Sequence, residues 1–205
     1  MTSPVRVAID FNCAASYLAV APTRALESRL GAMFEWLPFP AVASTRPRMT
    51  VSNDDRSARH LRMRAEYVAS ELRRYAASRG LAIDDAHRST DATAASLGLL
   101  WLRRRSRERA GEYVERVFDR IWRENAEADV DFVEKCLGPD ADGFRAYVTG
   151  DGPRELDASR EQLSSEGVWN VPAYLAGGEL FIGRQHLPMV EWLATTQPRS
   201  LESTK

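Results

Sequence analysis

Hydrophobic and polar positions alternate at the start of the chain: Val5, Val7, Ile9 and Phe11 are separated by Arg6, Ala8 and Asp10. That period of two predicts a β-strand. Asn12 to Ala15 breaks the pattern, and a helix-like run from Ser16 to Leu30 ends at Gly31, a residue suited to the left-handed turn that closes helices. Met33 to Phe39 forms a second apolar run bounded by Pro38 and Pro40. Strand, helix and strand in this order predict a βαβ unit with parallel strands.

From about Ser57 the period becomes helical. Leu61, Ala65, Val68, Leu72 and Tyr75 share one stripe, which Gly80 stops, and an Ala- and Leu-rich segment covers Asp91 to Arg104. The most persistent stripe joins Ala110, Tyr113, Val114, Val117, Phe118, Ile121 and Trp122, spaced to stay on one helix face for more than three turns. Asp129 is placed to cap a short helix through Val133 and Leu137 that stops at Gly138-Pro139, and Asp140 to Val148 reads as another. Residues 44–150 are therefore expected to be an all-helical insertion. After it come a helix over Pro153 to Glu166, a hairpin of Ala173–Leu175 and Glu179–Ile182 turning at Ala176-Gly177-Gly178, and a last helix over Leu187–Ala194. The expected architecture is α/β, with residues 1–43 and 151–205 forming one domain around the insertion.

Composition adds limits. The 205 residues carry a formal net charge of -1 and 44% hydrophobic residues, which fits a globular chain and gives no electrostatic argument for nucleic acid. Arg103, Arg104 and Arg105 are followed by acids and read as a solvated helix face. No apolar run is long enough to span a bilayer, and Met1 to Asp10 lacks the pattern of a signal peptide. Two cysteines, far apart in sequence, argue against a disulfide framework, so a reducing, cytoplasmic setting is expected. His60, His87 and His186 have no metal-ligand spacing, and Asp54-Asp55 and Asp84-Asp85 read as loop or helix-start residues.

Cys13 has the most chemical potential. It lies at the predicted junction of the first strand and first helix, where free backbone N–H groups favour a thiolate, with Ser16 three residues on. The motif is C-x-x-S, and a small buried residue at a turn explains it equally well. Pro172, just before the hairpin, is either an ordinary strand-start proline or the second residue of a cis Val171-Pro172 peptide. In the second case Val171 could offer its backbone to an extended ligand. Cys136 sits on an apolar stripe and reads as buried and inert. Trp101, Trp122 and Tyr113 read as core of the insertion, while Trp169 is close enough to Pro172 to line a pocket, and Arg46 and Arg48 follow the second strand on a loop.

Taken together, these segments resemble the DsbA-like thioredoxin superfamily, and within it the branch of 2-hydroxychromene-2-carboxylate isomerase and kappa-class glutathione transferase. Asp10-Phe11-Asn12-Cys13-Ala14-Ala15-Ser16-Tyr17-Leu18-Ala19 stands where that branch has D-F-x-S-P-x-S-Y-L-A. Trp36-Leu37-Pro38-Phe39 is similar to its second strand, and Gly178-Glu179-Leu180-Phe181-Ile182-Gly183 to its G-x-x-x-x-G segment. The resemblance implies a thioredoxin-like fold and glutathione as cofactor. It puts Cys13 in the place of the serine that holds the glutathione thiolate, with Ser16 beside it, Pro172 in the place of the cis-proline, and Val171 as the backbone partner. Arg184 and Gln185 take the cofactor-contacting positions occupied in the kappa-class pattern by Ser-Asp, and Ala14 replaces the usual proline. Trp169 and Arg46 are the implied contacts for a small aromatic substrate. The implied activity is a glutathione-dependent isomerase or transferase acting on an aromatic or conjugated compound. A monothiol disulfide oxidoreductase using Cys13 is the alternative, and a non-catalytic binding scaffold the third reading. The resemblance allows a homodimer, although no stripe singles out an interface.

Overall fold

The computed structural model of the chain describes residues 4–40, 56–83, 85 and 90–196. Its centre is a mixed four-stranded sheet of β1 (Arg6–Ile9), β2 (Glu35–Pro38), β3 (Ala173–Ala176) and β4 (Glu179–Ile182), in the order β2-β1-β3-β4. β1 runs parallel to β2, with Val7 beside Trp36, and antiparallel to β3, with Val7 beside Tyr174. The crossover between the parallel strands is α1 (Ala14–Leu30), which begins two residues earlier than the sequence pattern predicts and closes at Gly31 in the left-handed conformation. β3 and β4 form the expected hairpin, with Gly177 and Gly178 both at positive φ in a two-residue turn.

Alternation along the strands separates two apolar faces. Val7, Ile9, Trp36 and Tyr174 belong to a large core shared with α1 and the insertion helices, whereas Ala8, Leu37 and Ala173 pack with Leu163, Val168 and Val171 on the other side. Leu163 comes from α7 (Gly152–Ser165). The sheet is thus covered on both faces, and the end of β1 and the start of β3 are held between the layers.

Glu27 fixes the turn from α1 into β2. This buried carboxylate accepts from the Phe34 backbone N–H at 2.8 Å and the Trp36 indole N–H at 3.2 Å, while Arg24 lies 2.5 Å from its other oxygen. Its burial is tolerable because both oxygens have charged or N–H partners.

The central helices are α2 (Arg56–Ala77), α3 (Thr93–Arg105), α4 (Ala110–Phe118), α5 (Val130–Leu137) and α6 (Phe144–Thr149). α4 continues as a π-helical turn over Asp119–Arg123, and all seven residues of its predicted stripe are buried. Asp129 caps α5 by accepting from the Phe132 N–H at 2.8 Å. The stripe predicted for α2 is not the buried one. Leu61, Val68 and Tyr75 are exposed, whereas Ala69 and Ala76 are buried and Leu72 packs partly against the core. Small alanines let α2 approach its neighbours, and a count of large apolar residues overlooks them. The arginine run also departs from a purely solvated face. Arg103 pairs with Glu35 of β2, Arg104 with Glu155 of α7, and the Arg105 guanidinium lies 3.3 Å from the Trp101 ring centroid. No helix among the described residues is long and apolar enough to cross a membrane.

Candidate functional site

The chain leaves β1 through a hydrogen-bonded turn. Cys13 N–H donates to the Asp10 carbonyl at 3.0 Å, and Asn12 N–H donates to the buried Asp10 carboxylate at 2.9 Å. Cys13 then sits at the N-cap of α1 with extended backbone angles. The Ser16 hydroxyl, fully buried, accepts from the Asp10 N–H at 3.3 Å, which draws the first helical turn back onto the strand end. Asn12 faces the other way and accepts from the Thr90 N–H at 2.8 Å.

Two contacts brace this turn from the insertion. The Trp122 indole N–H donates to the Phe11 carbonyl at 2.9 Å, and the Tyr17 hydroxyl donates to the Asp119 carboxylate at 2.9 Å. The Tyr17 ring stacks on Phe118 and Trp122, and Phe11 packs on Phe118 with centroids 4.9 Å apart. Burial first, and then Asp119, push the Tyr17 phenol upward, so it stays protonated as the donor.

The segment before β3 meets Cys13 here. The Val171-Pro172 peptide is cis. The Cys13 thiol lies 3.8 Å from the Val171 carbonyl and donates to it. Pro172 is anchored on its far side, where its carbonyl accepts from the Gly183 N–H at 2.8 Å. Gly183 has a φ of 100°, a backbone conformation that side-chain-bearing residues rarely adopt, so the turn out of β4 favours glycine. The structure therefore joins Cys13, Ser16, Val171 and Pro172 in one place.

Electrostatics at Cys13 differ from the expectation of a favoured thiolate. Burial pushes its thiol pKa up and outweighs the Ser16 N–H and hydroxyl and the Ala15 N–H, which pull it down; Asp10 adds a further upward push. The helix N-terminus is present, but burial of Cys13 against the smaller apolar cluster is the stronger effect. Cys13 is a neutral thiol with a proton to donate. Cys136 is also raised by burial and lies 3% exposed, in keeping with an inert core cysteine.

Other expected site residues are distributed around this centre. Trp169 is 75% exposed and lines a cleft of about 610 Å³ with Phe39, Pro40, Arg160, Ser164 and Val168. Phe39 and Val168 also belong to the apolar cluster against which Cys13 packs, but Cys13, Val171 and Pro172 are not among the residues that line the cleft. The Arg184 guanidinium lies 3.5 Å from the Tyr75 ring centroid, and Gln185 donates back to the Ile182 carbonyl at 3.1 Å. Arg46, Arg48, Asp54, Asp55, Asp84 and His87 fall outside the described residues. No group of three metal-ligating side chains occurs among the described residues.

Asn170 and Arg160 are site residues that the sequence pattern does not single out. Asn170 accepts from the Val171 N–H at 2.9 Å, and Arg160 reaches the cleft from α7. Asparagine's tendency to bond nearby backbone was the only available signal for the first; nothing in α7's periodicity marks the second.

A family profile for the DSBA-like thioredoxin domain matches residues 5–193, which include both strand ends at Cys13 and Pro172. The chain belongs to the DSBA-like thioredoxin domain family. No curated protein matches the chain. Among solved structures, this DSBA-like chain is similar to 2-hydroxychromene-2-carboxylate isomerase, at 22% identity and TM-score 0.67, with 93% of each chain covered. It is also similar to a putative protein disulfide isomerase from Nitrosomonas europaea, at 12% identity and TM-score 0.66, covering 96% of this chain and 100% of that one. A third is the cytosolic disulfide reductase DsbM from Pseudomonas aeruginosa, at 15% identity and TM-score 0.59, covering 94% and 95%; a further DsbM structure contains GSH. At these identities the likeness establishes the thioredoxin-like DsbA fold with its helical insertion.

Proposed function

We propose that this protein is a glutathione-dependent isomerase or transferase acting on an aromatic or conjugated substrate, with Cys13 serving as a neutral hydrogen-bond donor to the ligand's sulfur. The observation that carries this reading is the Cys13 thiol itself, raised by burial and already donating to the Val171 carbonyl at 3.8 Å. A group that keeps its proton is suited to stabilise a neighbouring thiolate and poorly suited to attack a disulfide.

The donors and acceptors present fit a peptide thiol. Val171 has a backbone N–H and C=O at the strand start, beside the Cys13 thiol, and the cleft shares Phe39 and Val168 with the apolar cluster against which Cys13 packs. Arg184, next to Gly183, carries a cation suited to a ligand carboxylate. Glutathione, when bound, supplies a sulfur nucleophile that can add to a conjugated double bond and leave again. The chain's residues do the rest: Val171 aligns the ligand backbone, Cys13 holds its proton at Sγ and directs it at the ligand sulfur, and Ser16 fixes the turn that carries Cys13. Trp169 offers an aromatic face to the substrate, and Arg160 and Glu161 bring one charge of each sign to the same cleft. The DSBA-like family match and the fold shared with 2-hydroxychromene-2-carboxylate isomerase support an enzyme of this kind.

A cysteine where the resembling branch has serine favours one alternative, a monothiol oxidoreductase in which Cys13 Sγ attacks a disulfide and is later released by an external thiol. Calorimetric titration with reduced glutathione, paired with intact mass after exposure to oxidised glutathione, separates the two. Saturable binding of the reduced form with no covalent adduct is the expected result. A reversible adduct confined to Cys13 overturns the donor role and leaves the oxidoreductase.

A further inference from the structure

Val171 is the residue whose backbone the proposed ligand must reach, and its N–H is already taken. Asn170 Oδ1 accepts from it at 2.9 Å. The acceptor belongs to an exposed side chain, whereas Val171 itself is 3% exposed. The Val171 carbonyl is engaged too, by the Cys13 thiol. Both polar groups that an extended ligand would use at this residue are thus satisfied within the chain. A buried N–H without an acceptor is costly, and the Asn170 amide removes that cost in the ligand-free protein.

From this geometry we infer that Asn170 is a built-in competitor for the ligand site. It occupies the Val171 N–H until the ligand's carbonyl displaces it, and so it sets the affinity. The inference rests on the glutathione reading above. The exchange conserves hydrogen bonds: Val171 N–H passes from Asn170 Oδ1 to a ligand carbonyl, and the released amide turns into water, which satisfies it. No backbone element has to move, because Asn170 is exposed and the strand start is held from the other side by the bond between Gly183 N–H and the Pro172 carbonyl. A ligand lacking a carbonyl at this point cannot complete the exchange. The site therefore favours ligands with an extended peptide backbone, whose carbonyl replaces the bond that Asn170 gives up, and Asn170 lowers their affinity by the strength of that bond.

The test uses the full chain and its Asn170→Ala variant, titrated with S-methylglutathione and with β-mercaptoethanol, while exchange of the Val171 amide proton is followed by NMR. Removing one competing hydrogen bond is expected to tighten S-methylglutathione binding about two- to ten-fold. In the free protein, the same variant is expected to speed exchange of the Val171 amide proton while leaving the β1 amides unchanged. β-Mercaptoethanol is expected to bind weakly to both proteins. Unchanged or weaker S-methylglutathione binding in the variant, with clear binding by the parent protein, overturns the competitor role and leaves the glutathione reading standing. Binding of neither S-methylglutathione nor reduced glutathione to either protein overturns both. An Asn170→Ala variant whose Val171 amide exchanges no faster contradicts the hydrogen bond at the root of the inference.

Discussion

Phe118 is where the helical insertion grips the turn that carries Cys13, and replacing it with alanine measures that grip. The ring is fully buried, sits 4.9 Å from Phe11 and stacks 5.7 Å from Tyr17, the residues two before and four after Cys13. Truncating a packed phenylalanine to alanine costs about 3–5 kcal/mol in lost transfer energy and cavity. Ring pairs contribute about 0.5–1.5 kcal/mol each beyond area burial, and two are lost here, which places Phe118→Ala near the upper end of that range. For a chain of this size each kcal/mol moves the melting temperature by about 2–4 °C, so a fall of about 8–20 °C is expected. Thermal unfolding followed by far-ultraviolet circular dichroism and by tryptophan fluorescence is the assay. Trp122 donates to the Phe11 carbonyl and lies in the same cluster, so both probes should report one shifted transition. A loss below about 1 kcal/mol, or two transitions of which only one moves, would refute the claim that insertion and sheet share a continuous core.

Two further outcomes follow from the same geometry. Glu27→Ala leaves the Phe34 N–H and Trp36 indole N–H without their acceptor; at about 1–3 kcal/mol for each, the expected destabilisation by urea titration is about 2–6 kcal/mol, and Glu27→Gln, which keeps an acceptor oxygen, should recover most of it. Cys13 should react with iodoacetamide more slowly at neutral pH than an exposed cysteine, and its rate should rise only at higher pH than theirs, because burial holds the proton on the thiol; a midpoint below that of free cysteine contradicts this.

Much of this organisation was legible in the sequence, and the failures have physical causes. The period-two run at β1, the seven-residue stripe of α4 and the paired glycines at 177 and 178 each encode one local geometry, and each element forms there. α2 misled because its contacts are made by Ala69 and Ala76, whose small side chains score weakly in any hydrophobic count while Leu61 and Tyr75 lie exposed. At the site, the spacing of Cys13 and Ser16 and the segment before Pro172 pointed to two chain segments that the structure brings together. The protonation state of Cys13 did not follow from its helix-start position, since the outcome depends on burial against an apolar cluster assembled from other elements. Asn170 was equally hidden: its importance comes from a single hydrogen bond to the next residue, made at the place where two strand ends meet.

Thiolate absorbance of bound glutathione, titrated against pH in the parent protein, Cys13→Ser and Cys13→Ala, tests the central claim most directly. A neutral donor at position 13 predicts that the bound thiol ionises at lower pH than free glutathione in the parent and in Cys13→Ser, and that Cys13→Ala loses this shift while still binding. An unshifted bound thiol in the parent protein, or Cys13→Ser behaving like Cys13→Ala, would contradict it.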